Sequence, residues 1–305
     1  MRRRELLTSI ATLPLGGLAG CAGPSVTPPR ERLETFGLQL STLTPLMFVD
    51  FDGTLARVAE IGYRQVEFSA LGFLGRPVER IQQLLAENGL SAPVGRISPV
   101  LPADFASLSR AAQRAEFRRR AGPRYLLDNV RGALDACEAL GQADLVLPAL
   151  MPDNFATLAK LDASIEILQR AGELCAARGI RFGYHNHDWE LSPVDGVVPY
   201  ERMLARIAPE LMAMQIDVYW ITKGGREPLE FLRAHPGRFS TMHLKDIDAT
   251  GDFADVGDGM IDFPTVTRAA LTAGTRYFFV ERDNPPAPMQ TAQRAYDYLT
   301  RMRLA

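Results

Sequence analysis

The chain is poor in several things, and each shortage excludes something. It has three cysteines in 305 residues, and Cys137 and Cys175 lie in helical-period runs beside alanine and leucine. That is no disulfide framework, and both are expected as buried free thiols. It has no excess of charge: 34 Lys and Arg against 36 Asp and Glu leave a formal net charge of −2, which speaks against a nucleic-acid partner. Its most continuous apolar run, residues 6–18, is shorter than the ~20 residues that cross a bilayer and contains Pro14, Gly16 and Gly17. A phosphate loop is missing too, because Gly224 and Gly225 follow Lys223 and open no such pattern. The only internal period is that of the strand–helix units described below.

What is present begins with Arg2, Arg3 and Arg4 ahead of that apolar run, followed by Ala19 and Gly20. This reads as an export signal over residues 1–21. Leu18-Ala19-Gly20-Cys21 resembles a bacterial lipobox with Cys21 as the lipidated residue, and the arginines resemble a twin-arginine signal. Residues 22–34 hold Pro24, Pro28 and Pro29 and suit an extended tether. A periplasmic lipoprotein, touching the membrane only through its anchor, is the expectation.

From residue 35 onward, short β-type runs alternate with longer runs of helical period. Strands are expected at 37–41, 65–69, 92–97, 144–149, 180–185, 212–217, 240–243 and 277–281. Helices are expected at 55–61, 78–85, 125–140, 158–177, 200–207, 228–234, 263–273 and 289–302. Gly62, Gly89, Gly141, Gly179 and Gly274 stand where helices end before a strand, as C-terminal caps do. Eight such units predict a single α/β domain, a (β/α)8 barrel. The third unit is irregular: residues 99–123 include Arg118, Arg119 and Arg120 and resemble an extra short helix or a loop lid, with a solvated charged face the preferred reading.

Active sites of such barrels lie at the carboxyl ends of the strands. Four successive strand ends carry groups that can bind a cation: His185 in FGYHNHDWE, Asp217 in QIDVYW, His243 in MHLKD and Glu281 in FFVERD. Two imidazoles and two carboxylates suit Mn²⁺, Zn²⁺, Fe²⁺, Co²⁺ or Mg²⁺, with Mn²⁺ preferred, and do not decide among them. Each residue also has a plainer reading, as a helix cap or a hydrogen-bonded structural group. His187 could serve as a general base near its useful pKa, with Glu281 as a second proton carrier and Lys245 stabilising an oxyanion. Lys245 could equally be an exposed partner of Asp246. Glu67, Asp188 and Glu190 are candidates to support the site or bind hydroxyls, and Trp189, Tyr219 and Trp220 to wall it. His235, in AHPGRF, reads as a helix-end residue.

Together QLST, IGYRQVEFSA, FGYHNHDWE, QIDVYW, HPGRF, MHLKD, VGDGMIDF and YFFVERD resemble the sugar phosphate isomerase/epimerase family, the xylose-isomerase-like barrels. The resemblance implies one divalent metal held by strands five to eight, usually through Glu, Asp, His and Glu, and chemistry on carbons next to a carbonyl. That covers ketose epimerisation, aldose–ketose isomerisation, inosose dehydration and elimination from 3-keto-glycosides. This chain departs from the pattern at strand five, where His185, or His187 in a shifted alignment, replaces the glutamate. Two-glutamate epimerisation is thereby put in doubt. Export favours a neutral sugar, glycoside or inositol derivative over a sugar phosphate. The competing readings are a non-catalytic sugar-binding lipoprotein and, less well supported by so few histidines, a multi-metal endonuclease. A homo-oligomer is left open.

Overall fold

The computed structural model describes residues 31–305. The signal, the lipobox with Cys21 and most of the tether lie outside the described residues. Eight parallel strands form one sheet: β1 (Gly37–Gln39), β2 (Gln65–Glu67), β3 (Val94–Arg96), β4 (Asp144–Leu147), β5 (Arg181–His185), β6 (Ala213–Asp217), β7 (Phe239–Leu244) and β8 (Tyr277–Val280). The order β2-β1-β8-β7-β6-β5-β4-β3 is that of a barrel, since the first and last strands pair through Gly37 opposite Phe279. Between β2 and β3 the closure is reduced to a bridge from Gln65 to Ser91, just ahead of β3. The expected (β/α)8 barrel is therefore present, with every expected strand found and each core strand buried on both faces, as parallel strands covered by helices must be.

Why these segments form these elements follows from their periods. Val94, Val146 and Phe279 form a small buried cluster of their own, and because they come from β3, β4 and β8 they meet across the barrel interior. Alternate residues of a strand share a face, so Arg96 and Glu281, two positions on, point into the same interior one layer nearer the carboxyl ends. The larger cluster packs the outer faces against helices such as Phe51–Ile61, Leu126–Ala139 and Leu158–Ala176. The five cap glycines all have positive φ, from +61° at Gly89 to +124° at Gly62, and Cys137 and Cys175 are buried and unpaired.

Three elements were not expected. Thr44–Val49 and Val218–Lys223 are short helices following β1 and β6, and Asp246–Ile247 pairs with Phe253–Ala254 in an antiparallel ribbon after β7. The irregular third unit contains the extra short helix that was one of its readings, Arg110–Arg120, and with no buried residue its charged face is solvated as expected. Ser109 starts it by accepting the backbone N–H of Ala112.

Candidate metal centre

The four strand-end residues converge. His185, Asp217, His243 and Glu281 are all buried, and one donor atom from each lies within 4.8 Å of the other three. The facing atoms can be read from the contacts. His185 turns Nε2 toward Asp217 Oδ2 at 3.9 Å, while its Nδ1 meets Gln215 Oε1 at 3.1 Å. His243 turns Nδ1 toward Glu281 Oε2 at 2.9 Å and Asp217 Oδ2 at 3.8 Å, and its Nε2 meets Glu67 Oε2 at 2.7 Å. In both rings one nitrogen faces the common space and the other is held by an amide or carboxylate behind it, the arrangement that fixes the tautomer of a ligating imidazole.

Asp217 has room for both of its readings. Its Oδ1 caps the helix that follows, accepting the backbone N–H of Trp220 at 3.1 Å. Its Oδ2 is buried with no hydrogen-bond partner. A buried carboxylate oxygen left bare costs free energy on the order of 1–3 kcal/mol or more, and it points at the other three donors. The donor set therefore fits a divalent cation: these four residues can hold one, and none of the chemistry distinguishes which.

Electrostatics agree with a site built for positive charge. Burial pushes the Asp217 carboxyl up to about 7, Glu281 adding to the effect and Lys245 opposing it. For His243 burial acts downward, yet the Glu281 and Glu67 carboxylates outweigh it and raise the ring to about 9. Burial and the neighbouring His243 keep His185 well below its usual range.

Lys245 is buried and lies 3.2 Å from Glu281 Oε2, 2.8 Å from Asp283 Oδ2 and 3.8 Å from Asp217 Oδ2. The alternative pairing with Asp246 is overturned: Asp246 faces away and accepts the backbone N–H groups of Gly257, Gly259 and Ile261. Tyr219, Trp220 and Phe253 lie 5.1–5.7 Å from the Lys245 ammonium, so the aromatic wall stabilises a cation.

A cavity of about 290 Å³ opens over the cluster, lined among others by Gln39, Ser41, Arg96, His187, Lys245, Glu281 and Asp283. His187 stays outside the four-donor group and lines this cavity, so the choice between the two histidines falls on His185 as the candidate ligand. The Nδ1 of His187 is buried without a partner. Its expected pKa needs correction: burial, then the Lys245 charge, lower the ring to about 3, so it is neutral but only weakly basic. The other supporting candidates are also relocated. Trp189 stacks on the His187 ring at 4.1 Å and Trp220 lies 5.1 Å from it, so both buttress that ring and neither lines the cavity. Glu190 is buried, accepting Tyr184 Oη at 2.6 Å and the His187 backbone N–H at 2.9 Å, and Asp188 is likewise off the cavity wall. Glu67 is fully enclosed behind His243, bonded also to Gln39 at 2.7 Å and Gln215 at 2.9 Å.

The residues missed were Gln39, Ser41, Arg96, Gln215 and Asp283. Ser41 donates to Glu281 Oε1 at 2.6 Å, and Arg96 donates to Gln215 Oε1 at 2.5 Å. Two signals were available. The strand-end rule applied to the first and third strands reaches Gln39 and Arg96, and the two-residue period reaches Gln215 from Asp217 and Asp283 from Glu281.

A sequence profile of the xylose isomerase-like TIM barrel matches residues 55–302. An inosose dehydratase of Geobacillus thermodenitrificans is 28% identical over 160 residues, 45% of this chain and 53% of the relative, so the match spans about half that relative's length. One from Geobacillus kaustophilus is 24% identical over 278 residues, 82% of this chain and 87% of the relative. Among solved structures, a sugar phosphate isomerase/epimerase of Parabacteroides distasonis is similar with a TM-score of 0.73 at 23% identity, covering 88% of this chain and 98% of that one. An L-ribulose 3-epimerase reaches 0.60 at 15% identity, covering 88% and 94%. At those identities the two structures establish the shared fold alone.

Proposed function

The chain belongs to the xylose isomerase-like TIM-barrel family, and from that premise we propose that it is a divalent-metal-dependent enzyme that removes a proton next to a carbonyl. Its substrate on this reading is a non-phosphorylated sugar, glycoside or inositol derivative, and the outcome is isomerisation, epimerisation or loss of water from a keto-sugar. The observation that carries the proposal is the bare, buried Oδ2 of Asp217 facing donors from three neighbouring strands. The relatives named inosose dehydratase favour the dehydration branch, and so does His185, since the site lacks the glutamate pair that would work on both faces of one carbon.

His185, Asp217, His243 and Glu281 would hold the ion. Bound there, a divalent cation supplies a Lewis acid that draws electron density from a carbonyl and makes the adjacent C–H acidic. The chain's own groups do the rest. The neutral His187 ring lines the cavity and is placed to accept a proton, and a base this weak is adequate only for a C–H already acidified. The Lys245 ammonium stabilises negative charge developing on a substrate oxygen. Asp283, which burial shifts upward and which lies within hydrogen-bond reach of Lys245, can hold the proton delivered to the departing or reprotonated position, and Glu281, kept ionised by Lys245 and His243 against the effect of burial, can take one up. Gln39 and Gln215 hold Glu67, which holds His243, so the ligand cannot rotate away.

The test is exchange. Purified protein loaded with Mn²⁺ is incubated in D₂O with a panel of ketoses, inososes and 3-keto-glycosides, and C–H signals next to the carbonyl are followed by NMR. Loss of signal in at least one compound is expected. If metal-loaded protein exchanges none of them, or if it takes up no divalent ion, proton abstraction at this site is refuted. We also propose that the chain is exported and anchored through Cys21, which mass spectrometry of the membrane-extracted chain would reveal as a lipidated N-terminal cysteine.

A further inference from the structure

The exposed apolar side chains are not scattered. Among the described residues the large ones are Phe48, Val49, Leu71, Val100, Met151 and Met260. Each follows the carboxyl end of a strand, so all six lie at the mouth of the barrel. Five of them belong to the segments after β1 to β4, which are neighbours around the rim. Phe48 and Val49 are the extreme cases, 64% and 86% exposed at the end of a short helix.

The same quarter carries a basic segment. Residues 97–125 hold six arginines against Asp104 and Glu116, and Glu116 is occupied by Arg119 and Arg120. On the helix Arg110–Arg120, the exposed Arg110, Arg114 and Arg118 follow one another at four-residue spacing and therefore form one stripe. None of the three has an ion-pair partner among the described residues. A basic stripe on the helix that Arg120 ties to Val100, on the same side of the mouth as the exposed Phe48, Val49 and Leu71, suits an interface that is anionic outside and apolar just beneath.

We propose that the β1–β4 side of the mouth docks on an anionic lipid surface, with the Arg110–Arg120 helix against phosphate headgroups and Phe48 and Val49 at the acyl boundary. A second copy of the chain is a poorer occupant, because a two-fold contact through this patch would set the arginine stripe against itself. The docking rests on the rim alone and is independent of the reaction inside the barrel.

The full chain is sedimented with vesicles of phosphatidylcholine alone and of equal parts phosphatidylcholine and phosphatidylglycerol. Tighter binding to the anionic vesicles is expected, weakening as salt is raised. R110E/R114E/R118E should lower binding to the anionic vesicles about a hundredfold and remove the preference, and Arg114→Gln, which adds no new charge, should lower it a few-fold. Phe48→Ser with Val49→Ser should weaken both vesicle types about tenfold. The N-terminus is common to all of these proteins and cancels in the comparison. Equal binding to both vesicle types, an unaffected triple variant, or a self-association that the triple variant relieves would each overturn the proposal. All the substituted side chains are exposed, so unchanged thermal melting and metal uptake accompany the expected result.

Discussion

The two halves of the barrel rim are built from the same repeating unit and are chemically unlike. The β5–β8 half ends in His185, Asp217, His243 and Glu281, all buried and mutually close. The β1–β4 half ends in Gln39, Glu67, Arg96 and Pro148, and sends the exposed apolar and arginine-rich segments outward. The difference teaches that one half supplies candidate ligands and the other supports them: Glu67 reaches across to His243, and Arg96 across to Gln215. A divided labour of this kind can be broken one half at a time.

The largest effect should come from the β5–β8 half. Asp217→Ala or His243→Ala removes a donor atom and should abolish divalent-metal uptake measured by calorimetry, a loss beyond the roughly 10–100-fold that removing an outer partner costs. Retention of tight binding by either variant would break the assignment. Next, His187→Ala should keep the metal and lower turnover by about 10²–10⁴-fold, as loss of a proton-transfer group does. Full activity would strike His187 from the mechanism. From the opposite half, Glu67→Gln should weaken metal affinity about tenfold without abolishing it, which measures how much the β1–β4 side contributes.

A smaller effect should appear in stability against pH. Burial raises the Glu190 carboxyl to about 7 from an ordinary 4.5. An acid that keeps its proton in the fold stabilises it fully at low pH, and that contribution is lost as pH rises from about 4.5 through about 7. The loss is at most about 3 kcal/mol. Denaturant midpoints measured between pH 5 and 8 should fall, and Glu190→Gln should flatten the curve even though its own baseline is lower. The smallest effect is chemical: burial pushes both Cys137 and Cys175 up to about 12, so neither should react with iodoacetamide in the folded protein at pH 8. Rapid labelling of either would mean that the helix layer opens.

Legibility followed the same division. On the β5–β8 half, strand ends carry His, Asp and Glu, residue types whose presence beside apolar runs is conspicuous, and the rule that barrel sites lie at carboxyl ends was enough to pick the four donors. On the β1–β4 half the supporting side chains are Gln39 and Arg96, which look ordinary in a sequence. Gln215 was hidden differently, since it stands two residues before a more obvious acid. The misplaced residues share one cause. Asp188, Trp189 and Glu190 follow His187 in a turn whose direction depends on Glu190 bonding Tyr184, and Trp220 depends on the helix that Asp217 caps, so no periodicity reports where they face.

By itself the sequence determined the eightfold alternation, the parallel barrel sheet and the four candidate donors, because a period of two in strands, a period near 3.6 in helices and glycine at helix ends are local properties. Only the tertiary structure decided that Lys245 turns inward to the carboxylates, that burial and Lys245 push the His187 ring far below its ordinary pKa and that Glu67 stands behind His243. Those facts depend on which charges end up within a few ångströms of one another after water is excluded, and chain spacing carries no record of that.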